Sequence, residues 1–316
     1  MMATIRTSAT FLVVFAGVLP AADSGLVSLV MPDATVIAGV NVTQATTSPF
    51  GQYVLALADP SNQQLQALTA LTGFDPRKDV SEFLAATNGG KGSQARLLLA
   101  RGAFNVGTLT AAATMAGATS QTYKDVAILT SPKIGQGLAF LDPTLAVLGD
   151  VASIKGAIDR QAPSSQHLGA GVISQIGQLS AANDAWVLTT VPPASLHAPA
   201  ATPNINGLNL SALQQVQQAT AGVKFGVNVT VTAQAQMDTV QNATALAGMI
   251  QFLANMAQMQ AQKAPEAAAL AKAVGATANG STVSVTFSLP EEQVQQLLQP
   301  RQSGPRSGKT EPKKME

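Results

Sequence analysis

The stretch VKFGVNVTVTAQAQ, residues 223–236, carries the clearest secondary-structure signal in the chain. Apolar and polar residues alternate along it, which is the period of a β-strand with two unlike faces. One predicted face consists of Val223, Phe225, Val227, Val229 and Val231, and the other of Lys224, Asn228, Thr230 and Thr232. A polar face is typical of an antiparallel sheet with one side in water. The stretch therefore predicts a largely antiparallel sheet with helices covering one face.

Similar strands open two halves of the chain, in MPDATVIAGVNV at 31–42 and DAWVLTTV at 184–191. Each half also ends in a strand followed directly by an amphipathic helix, in PTLAVLGDVASIKGAID at 143–159 and STVSVTFSLPEEQVQQLLQ at 281–299. This parallel order predicts an α+β fold with an internal repeat. We expect two related lobes, an N-terminal one over 25–161 and a C-terminal one over 184–299.

The segment between the lobes, residues 162–183, predicts a connecting helix from the spacing of Leu168, Ile173, Ile176 and Leu179. Residues 300–316 are polar and mildly basic, which predicts a disordered tail.

The stretch TGFDPRKDVSEFLAAT, residues 72–87, concentrates charge in a chain with only 11% charged residues. Asp75 can cap a helix whose first position is Pro76, and Gly73 can end the preceding helix. The spacing of Val80, Phe83 and Leu84 then predicts an apolar helix face. The alternative is that the charged residues of this stretch face a ligand.

Several other helices are predicted from capping residues and periodicity. Asn105 is expected to cap a helix that ends near Met115, and Asp150 to cap the helix that closes the first half. LSALQQVQQA at 210–219 and PEAAALAKAV at 265–274 also have helical composition. A long helix is expected from Thr239, with an apolar stripe formed by Leu246, Met249, Ile250, Leu253 and Met256.

Residues 1–24 predict an export signal. Arg6 provides the positive end, Phe11 to Leu19 form a short apolar stretch, and small residues follow it. We expect cleavage near Ala21 to Ser24. The alternatives are a hydrophobic strand or an uncleaved anchor, although the apolar stretch is shorter than the ~20 residues that span a bilayer. No later stretch is predicted to span one. The expected localisation is secreted or periplasmic.

Composition excludes several classes of function. The net charge is +1 and aromatic residues are few, so nucleic acid is not an expected partner. The chain has no cysteine, which removes disulfides, thiolate metal sites and thiol nucleophiles.

No catalytic, metal-binding or cofactor-binding residue is predicted. His167 and His197 lie in connecting segments without nearby carboxylates, and no nucleophile-elbow motif is present. SGKT at 307–310 lacks the earlier glycine of a phosphate-binding loop. Asp75 with Asp79 or Glu82 is the one local carboxylate cluster, and it is explained by the start of a helix. Trp186 is expected in the core.

The segments at 31–42, 46–55, 72–87, 97–105, 123–129 and 146–160 together resemble a family of uncharacterised exported bacterial proteins, a domain of unknown function. The resemblance covers about Met31 to Arg160 well and the second half loosely. It implies a secreted or periplasmic protein, and it implies no catalytic or binding residue.

These observations favour a non-enzymatic exported protein that binds an unknown protein or small ligand in the bacterial envelope. Two alternatives stay open. One is a hydrolase acting outside the cytoplasm, which requires distant side chains to meet in a pocket. The other is a carrier of an apolar ligand between the helix at 239–263 and the sheet, which requires a dry cavity beneath Leu246 to Met256.

Overall fold

The alternating segment 223–236 folds as a β-hairpin in the computed structural model, which describes residues 22–58, 63–89, 95–132, 135–195, 214–259 and 271–298. Phe225 to Val227 form the turn between two long strands, and Val227 is 91% exposed. The prediction of one continuous strand is therefore wrong, because the alternation of apolar and polar residues continues across a turn. The predicted faces hold on either side of it, since Val223 pairs with Val231 and Lys224 pairs with Thr230.

The strands, in chain order, are β1 (Val36–Asn41), β2 (Val80–Thr87), β3 (Arg96–Gly102), β4 (Thr119–Tyr123), β5 (Val126–Thr130), β6 (Gly137–Asp142), β7 (Leu145–Gly149), β8 (Ala185–Thr189), β9 (Val216–Lys224), β10 (Asn228–Met237), β11 (Val274–Asn279) and β12 (Thr282–Pro290). The helices are α1 (Ser24–Ser28), α2 (Val42–Thr47), α3 (Pro49–Ala58), α4 (Gln63–Thr72), α5 (Pro76–Asp79), α6 (Val106–Met115), α7 (Val151–Asp159), α8 (Ala170–Ala182), α9 (Val240–Met259) and α10 (Glu291–Leu298).

The twelve strands of the described residues form one sheet, in the order β11-β12-β10-β9-β8-β1-β2-β3-β7-β6-β5-β4. Every neighbouring pair is antiparallel. The fold is therefore α+β, as predicted.

The arrangement as two lobes is not confirmed, because the strands that open the two halves pair with each other. β1 and β8 are in register from Val36 opposite Thr189 to Val40 opposite Ala185. A pairing at this position satisfies the backbone groups of two strands that would otherwise be sheet edges. The predicted boundary at 162–183 is spanned by α8, which packs beside β8 and β9.

Helices cover both faces of the sheet rather than the one face predicted. Leu97, Leu99 and Val147 lie in the main hydrophobic core with α1, α7 and α8, while the intervening Ala100 and Ala146 pack with Leu109 of α6. Successive residues of a strand point to opposite faces, so these two clusters lie on opposite sides. We call the side of α1, α7 and α8 face A, and the side of α4 and α6 face B. Helix α9 packs against β10, β11 and β12 through Leu246.

The stretch 72–87 begins a helix as predicted but does not continue it. Asp75 accepts a hydrogen bond from the backbone N–H of Arg77, Pro76 occupies the first turn, and Gly73 has a φ of 75°. Helix α5 then ends at Asp79, and Val80 starts β2, which pairs with both β1 and β3. Pairing along two strands outweighs the helical spacing of Val80, Phe83 and Leu84.

The predicted helix at 210–219 is also a strand where it is described, since β9 begins at Val216 and pairs with β8 and β10. The caps at Asn105 and Asp150 are confirmed, because each side chain accepts a backbone N–H in the first turn of its helix. The expected helices α8, α9 and α10 are present.

Some predictions fall outside the described residues. They are the export signal up to Ala21, His197, SGKT at 307–310, most of the helix at 265–274 and the tail at 300–316. Within the described ranges, no helix combines the length and apolar character needed to cross a membrane.

Candidate functional site: an apolar cleft on face B

A cleft of about 640 Å³ lies between face B of the sheet and helices α4 and α6. Every residue that lines it is apolar. The lining is formed by Ala67, Leu68, Leu71, Phe74, Pro76, Val80, Phe83, Leu98, Ala100, Phe104, Leu109, Ala112, Ala113, Ala116, Leu138, Phe140, Ala146 and Leu148.

The floor of the cleft is formed by neighbouring strands of the N-terminal half. Strand β2 contributes Phe83, β3 contributes Leu98, β6 contributes Phe140 and β7 contributes Leu148. These four residues are only half-buried, although they lie between the sheet and the helices above it. The chain's own side chains therefore leave much of this surface uncovered.

Three aromatic rings line one side of the cleft. Phe104 lies 5.7 Å from Phe74 and 5.6 Å from Phe140, measured between ring centroids, and both pairs are tilted. Such tilted pairs are favourable and hold the rings in place. The three residues come from the loops before α5 and α6 and from β6, so the cleft wall is tied to separate parts of the fold.

The helical side of the cleft combines alanines with Leu68 and Leu71 of α4 and Leu109 of α6. Helix α6 presents Ala112 and Ala113, with Ala116 just beyond its end, and α4 presents Ala67. The short alanine side chains at these positions leave the space between the helices and the sheet unfilled. Leu71 of α4 is 58% exposed and marks the rim.

The chemistry that this cleft can perform is limited by its lining. None of the lining side chains can transfer a proton, act as a nucleophile or bind a metal ion. An ion pair joins Arg77 to Asp75 outside the lining, and the hydrogen bonds that Arg77 donates to Asp75 lower the pKa of that carboxyl despite burial. The cleft is suited to holding an apolar molecule by contact alone.

The histidine within the described residues, His167, lies in the segment between α7 and α8. His167 is exposed, and its Nδ1 lies 3.1 Å from the backbone oxygen of Ser28. Across the described ranges, no cluster of three or more His, Asp or Glu side chains is placed to hold a metal ion.

The local carboxylate cluster is divided between different environments. Asp79 accepts a hydrogen bond from the backbone N–H of Asp75 at 2.7 Å, within the start of α5. Glu82 instead lies on face A, in a separate polar cavity with Asp23 and Asp184. A pair of carboxylates facing one substrate is therefore not formed by these residues.

Trp186 lies in the core as expected, at 5% exposure. The apolar stripe of α9 is only partly used for packing, since Leu246 is buried, Met249 and Ile250 pack against the same cluster, and Met256 is 36% exposed.

The aromatic residues of the cleft were not identified from the sequence as a site. Phe74, Phe83, Phe104 and Phe140 are four of the ten phenylalanines, and no local sequence pattern marks them as one group. Their convergence depends on the pairing of β2, β3, β7 and β6, which no local pattern specifies.

Comparisons with known proteins identify only the fold. No protein-family model matches the sequence, and no curated protein matches it. Three solved structures of the protein TP0453 are similar. Crystal form III has a TM-score of 0.57 at 8% identity, covering 85% of this chain and 95% of TP0453. Crystal form IV has a TM-score of 0.54 at 9% identity, and crystal form I a TM-score of 0.52 at 8% identity. The latter two matches each cover 86% of this chain and 95% of TP0453.

Proposed function

We propose that this protein is an exported, non-enzymatic binding protein that holds a small apolar molecule with a single hydrocarbon chain in the cleft on face B. The observation that carries this proposal is the all-apolar lining of a cleft of about 640 Å³. Small-molecule pockets in proteins have volumes of roughly 300–1,000 Å³, so this cleft is of ordinary ligand size.

The half-buried floor of the cleft is the source of the expected binding free energy. Phe83, Leu98, Phe140 and Leu148 expose apolar surface inside the fold. Each Å² of such surface removed from water contributes about 25 cal/mol. A hydrocarbon chain would cover the floor and the alanines of α6 together, and it needs no hydrogen-bonding partner that the cleft lacks.

The proposal differs from the predicted carrier site, because the cleft lies under α4 and α6 rather than under α9. The export signal predicted for residues 1–24 and the resemblance to exported bacterial proteins support a location in the envelope, where hydrocarbon chains are abundant. Among the described residues, no feature favours the hydrolase alternative over a binding protein.

A binding measurement with matched variants tests the proposal. The probe is a dansyl-labelled saturated fatty acid, titrated into the protein while its fluorescence is followed. Ala113 faces the cleft and Ala111 is exposed on the same helix outside it, so Ala113→Phe fills the cleft and Ala111→Phe is the control. We expect Ala113→Phe to weaken binding about tenfold or more, equivalent to about 1.4 kcal/mol, with Ala111→Phe unchanged.

The result is interpreted only for variants whose circular dichroism and melting temperature match the parent. Equal probe affinity in the two variants, or no saturable binding by the parent protein, would contradict the proposal.

A further inference from the structure

A second cavity, of about 340 Å³, lies on face A where the start of the described chain meets β2 and α8. Its lining is mainly polar and includes three carboxylates, those of Asp23, Glu82 and Asp184. The three carboxylates differ in whether a cation already balances them.

Asp23 is fully paired. Arg101 donates to it through Nε at 2.9 Å and Nη2 at 3.0 Å, and the backbone N–H groups of Gly25 and Leu26 donate to the same carboxylate. Burial opposes ionisation, but Arg101 and these donors outweigh it and lower the pKa of Asp23.

Asp184 is paired as well, although its side chain is only 4% exposed. Lys224 Nζ lies 2.6 Å from one oxygen, and the backbone N–H of Phe225 donates to the other at 2.7 Å.

Glu82 is the exception. Its Oε2 accepts one hydrogen bond, from the backbone N–H of Asp23 at 3.1 Å, and among the described residues it has no ion-pair partner. Burial is the main reason that its pKa is raised, and the nearby Asp23 carboxylate acts in the same direction, while the backbone N–H of Asp23 and the charge of Arg101 act against them. Among the described residues, Glu82 is therefore the one carboxylate of this cavity without an ion pair of its own, although Arg101 also lines the cavity.

The first described residues lie against this carboxylate. The backbone N–H of Ala22 donates to Ser180 Oγ at 2.8 Å, and the next backbone N–H, that of Asp23, is the one that donates to Glu82. Ser180 belongs to α8 and donates its own proton to the backbone oxygen of Ile176, so its oxygen is available as an acceptor. Ala21 and Ala22 are small residues within the predicted cleavage region of the export signal.

We propose that the leader is removed between Ala21 and Ala22 and that the α-ammonium group of Ala22 is then bound in this cavity as the counter-ion of Glu82. Hydrolysis of that peptide bond by a signal peptidase consumes one water, leaves a carboxylate on Ala21 and creates the ammonium on Ala22. The ammonium has three N–H donors. One keeps the hydrogen bond to Ser180 Oγ, and the others are available to the acceptors of the cavity, including the Glu82 carboxylate. This inference rests on the export part of the proposed function and is independent of the apolar cleft.

The proposal predicts a specific pH dependence. An α-amino group has a pKa of about 8 in an unfolded chain. A carboxylate partner raises that pKa in the folded protein, so the added stability is fully present below pH ~8 and is lost as pH rises through the folded-state value. A chain extended before Ala22 carries no charge at this position and should lack the effect.

The test begins with the full chain exported by a bacterial host, whose N-terminal peptide is identified by mass spectrometry. We expect it to begin at Ala22. A mature N-terminus elsewhere, or retention of the leader, would overturn the assigned cleavage, whereas a chain found only in the cytoplasm would contradict export as well.

The second measurement uses two mature proteins released from an N-terminal carrier, one beginning at Ala22 and one with Gly-Gly before it. At pH 6.5 we expect the free Ala22 form to melt higher by about 2 °C or more, a shift that should disappear near pH 10. In the Glu82→Gln background the two forms should melt together at both pH values. Equal melting of the free and extended forms at pH 6.5 would overturn the proposal.

The α-amino pKa provides a readout that a purely structural role of Glu82 would not change. It is obtained from the pH dependence of N-terminal acylation, followed by mass spectrometry. We expect it to be raised in the parent protein and to return to about 8 in Glu82→Gln. An unshifted value in the parent would contradict the ion pair, whatever the result of the fatty-acid titration.

Discussion

At the scale of single residues, the centre of the sheet depends on a glycine packed against an indole ring. Gly39 of β1 and Trp186 of β8 are paired across the two strands that join the halves of the sheet. A Cβ atom on Gly39 would lie 2.5 Å from two carbon atoms of the Trp186 ring. Trp186 is buried at 5% exposure, so its rigid ring has little freedom to move away.

We therefore expect Gly39→Ala to lower the free energy of unfolding by about 1–3 kcal/mol, the usual cost of overpacking a core. The matched control is Gly177→Ala in α8, where a Cβ meets nothing within 4 Å. That change should be neutral or stabilising by up to about 1 kcal/mol, since alanine is the better helix former. Urea titrations of both variants give the comparison, and an equal effect at the two positions would contradict the packing argument.

The sequence predicted residue-scale features well where they depend on near neighbours. The Asp75, Asn105 and Asp150 caps are local, since each side chain accepts a backbone N–H two or three residues later. The contact of Gly39 with Trp186 joins residues far apart in the chain, and nothing near either residue indicates it. The cleft phenylalanines are of the same kind, because their meeting depends on strand order.

At the scale of secondary-structure elements, strand pairing decides where local patterns are ambiguous. Val80, Phe83 and Leu84 have helical spacing, yet β2 pairs on both sides, with a register shift between Val80 and Glu82. At such a register shift, the residues before it and the residues after it change faces of the sheet. The spacing of the three apolar residues therefore also suits a strand with a bulge. β9 repeats this outcome, because it lies between β8 and β10 and gains backbone hydrogen bonds on both sides.

The start of α7 provides an element-scale prediction. Asp150 accepts hydrogen bonds from the Ser153 N–H at 2.8 Å, the Ser153 hydroxyl at 2.6 Å and the Arg96 N–H at 3.1 Å. Burial opposes the charged form, but these donors outweigh it and lower the pKa of Asp150. We expect Asp150→Ala to cost about 1–2 kcal/mol at pH 7, as other N-cap replacements do.

The cost should depend on pH with a defined sign. Because folding lowers the pKa of Asp150, the carboxylate stabilises the folded state at pH values above its unfolded-state pKa of about 3.9. This stabilisation is lost as the pH falls through the pKa in the folded state. The stability gap between parent and Asp150→Ala, measured by denaturant titration, should therefore narrow below pH ~4. Asp150→Asn is the control, because asparagine also caps helices but does not titrate there, and it should lose less stability at pH 7. A gap that stays constant down to pH 3 would contradict the role of the carboxylate.

At the scale of the whole molecule, the pairing of β1 with β8 joins the strands of the two halves of the chain into one sheet. Ile37 of β1 lies opposite Leu188 of β8, and both are fully buried in the main core with Leu84, Leu99 and Ile176. That core therefore includes side chains from both halves and from the helix between them. The sequence predicts a repeat from the order of elements in the two halves, but it does not show that their opening strands are partners.

A shared core predicts that the two halves unfold together. We expect a single calorimetric transition, and we expect Ile37→Ala to shift it as a whole to lower temperature, with a cost of about 2–5 kcal/mol for a buried isoleucine. Ile173→Ala is the matched control, since Ile173 of α8 is 42% exposed and should change the transition little. Two separate lobes would instead give two transitions, of which Ile37→Ala would move only the first half's. Ile37 lies at the boundary between the halves, so a split transition in Ile37→Ala alone would show that the β1–β8 pairing couples the two halves. Two transitions in the parent protein would mean that the continuous sheet does not unfold as one unit.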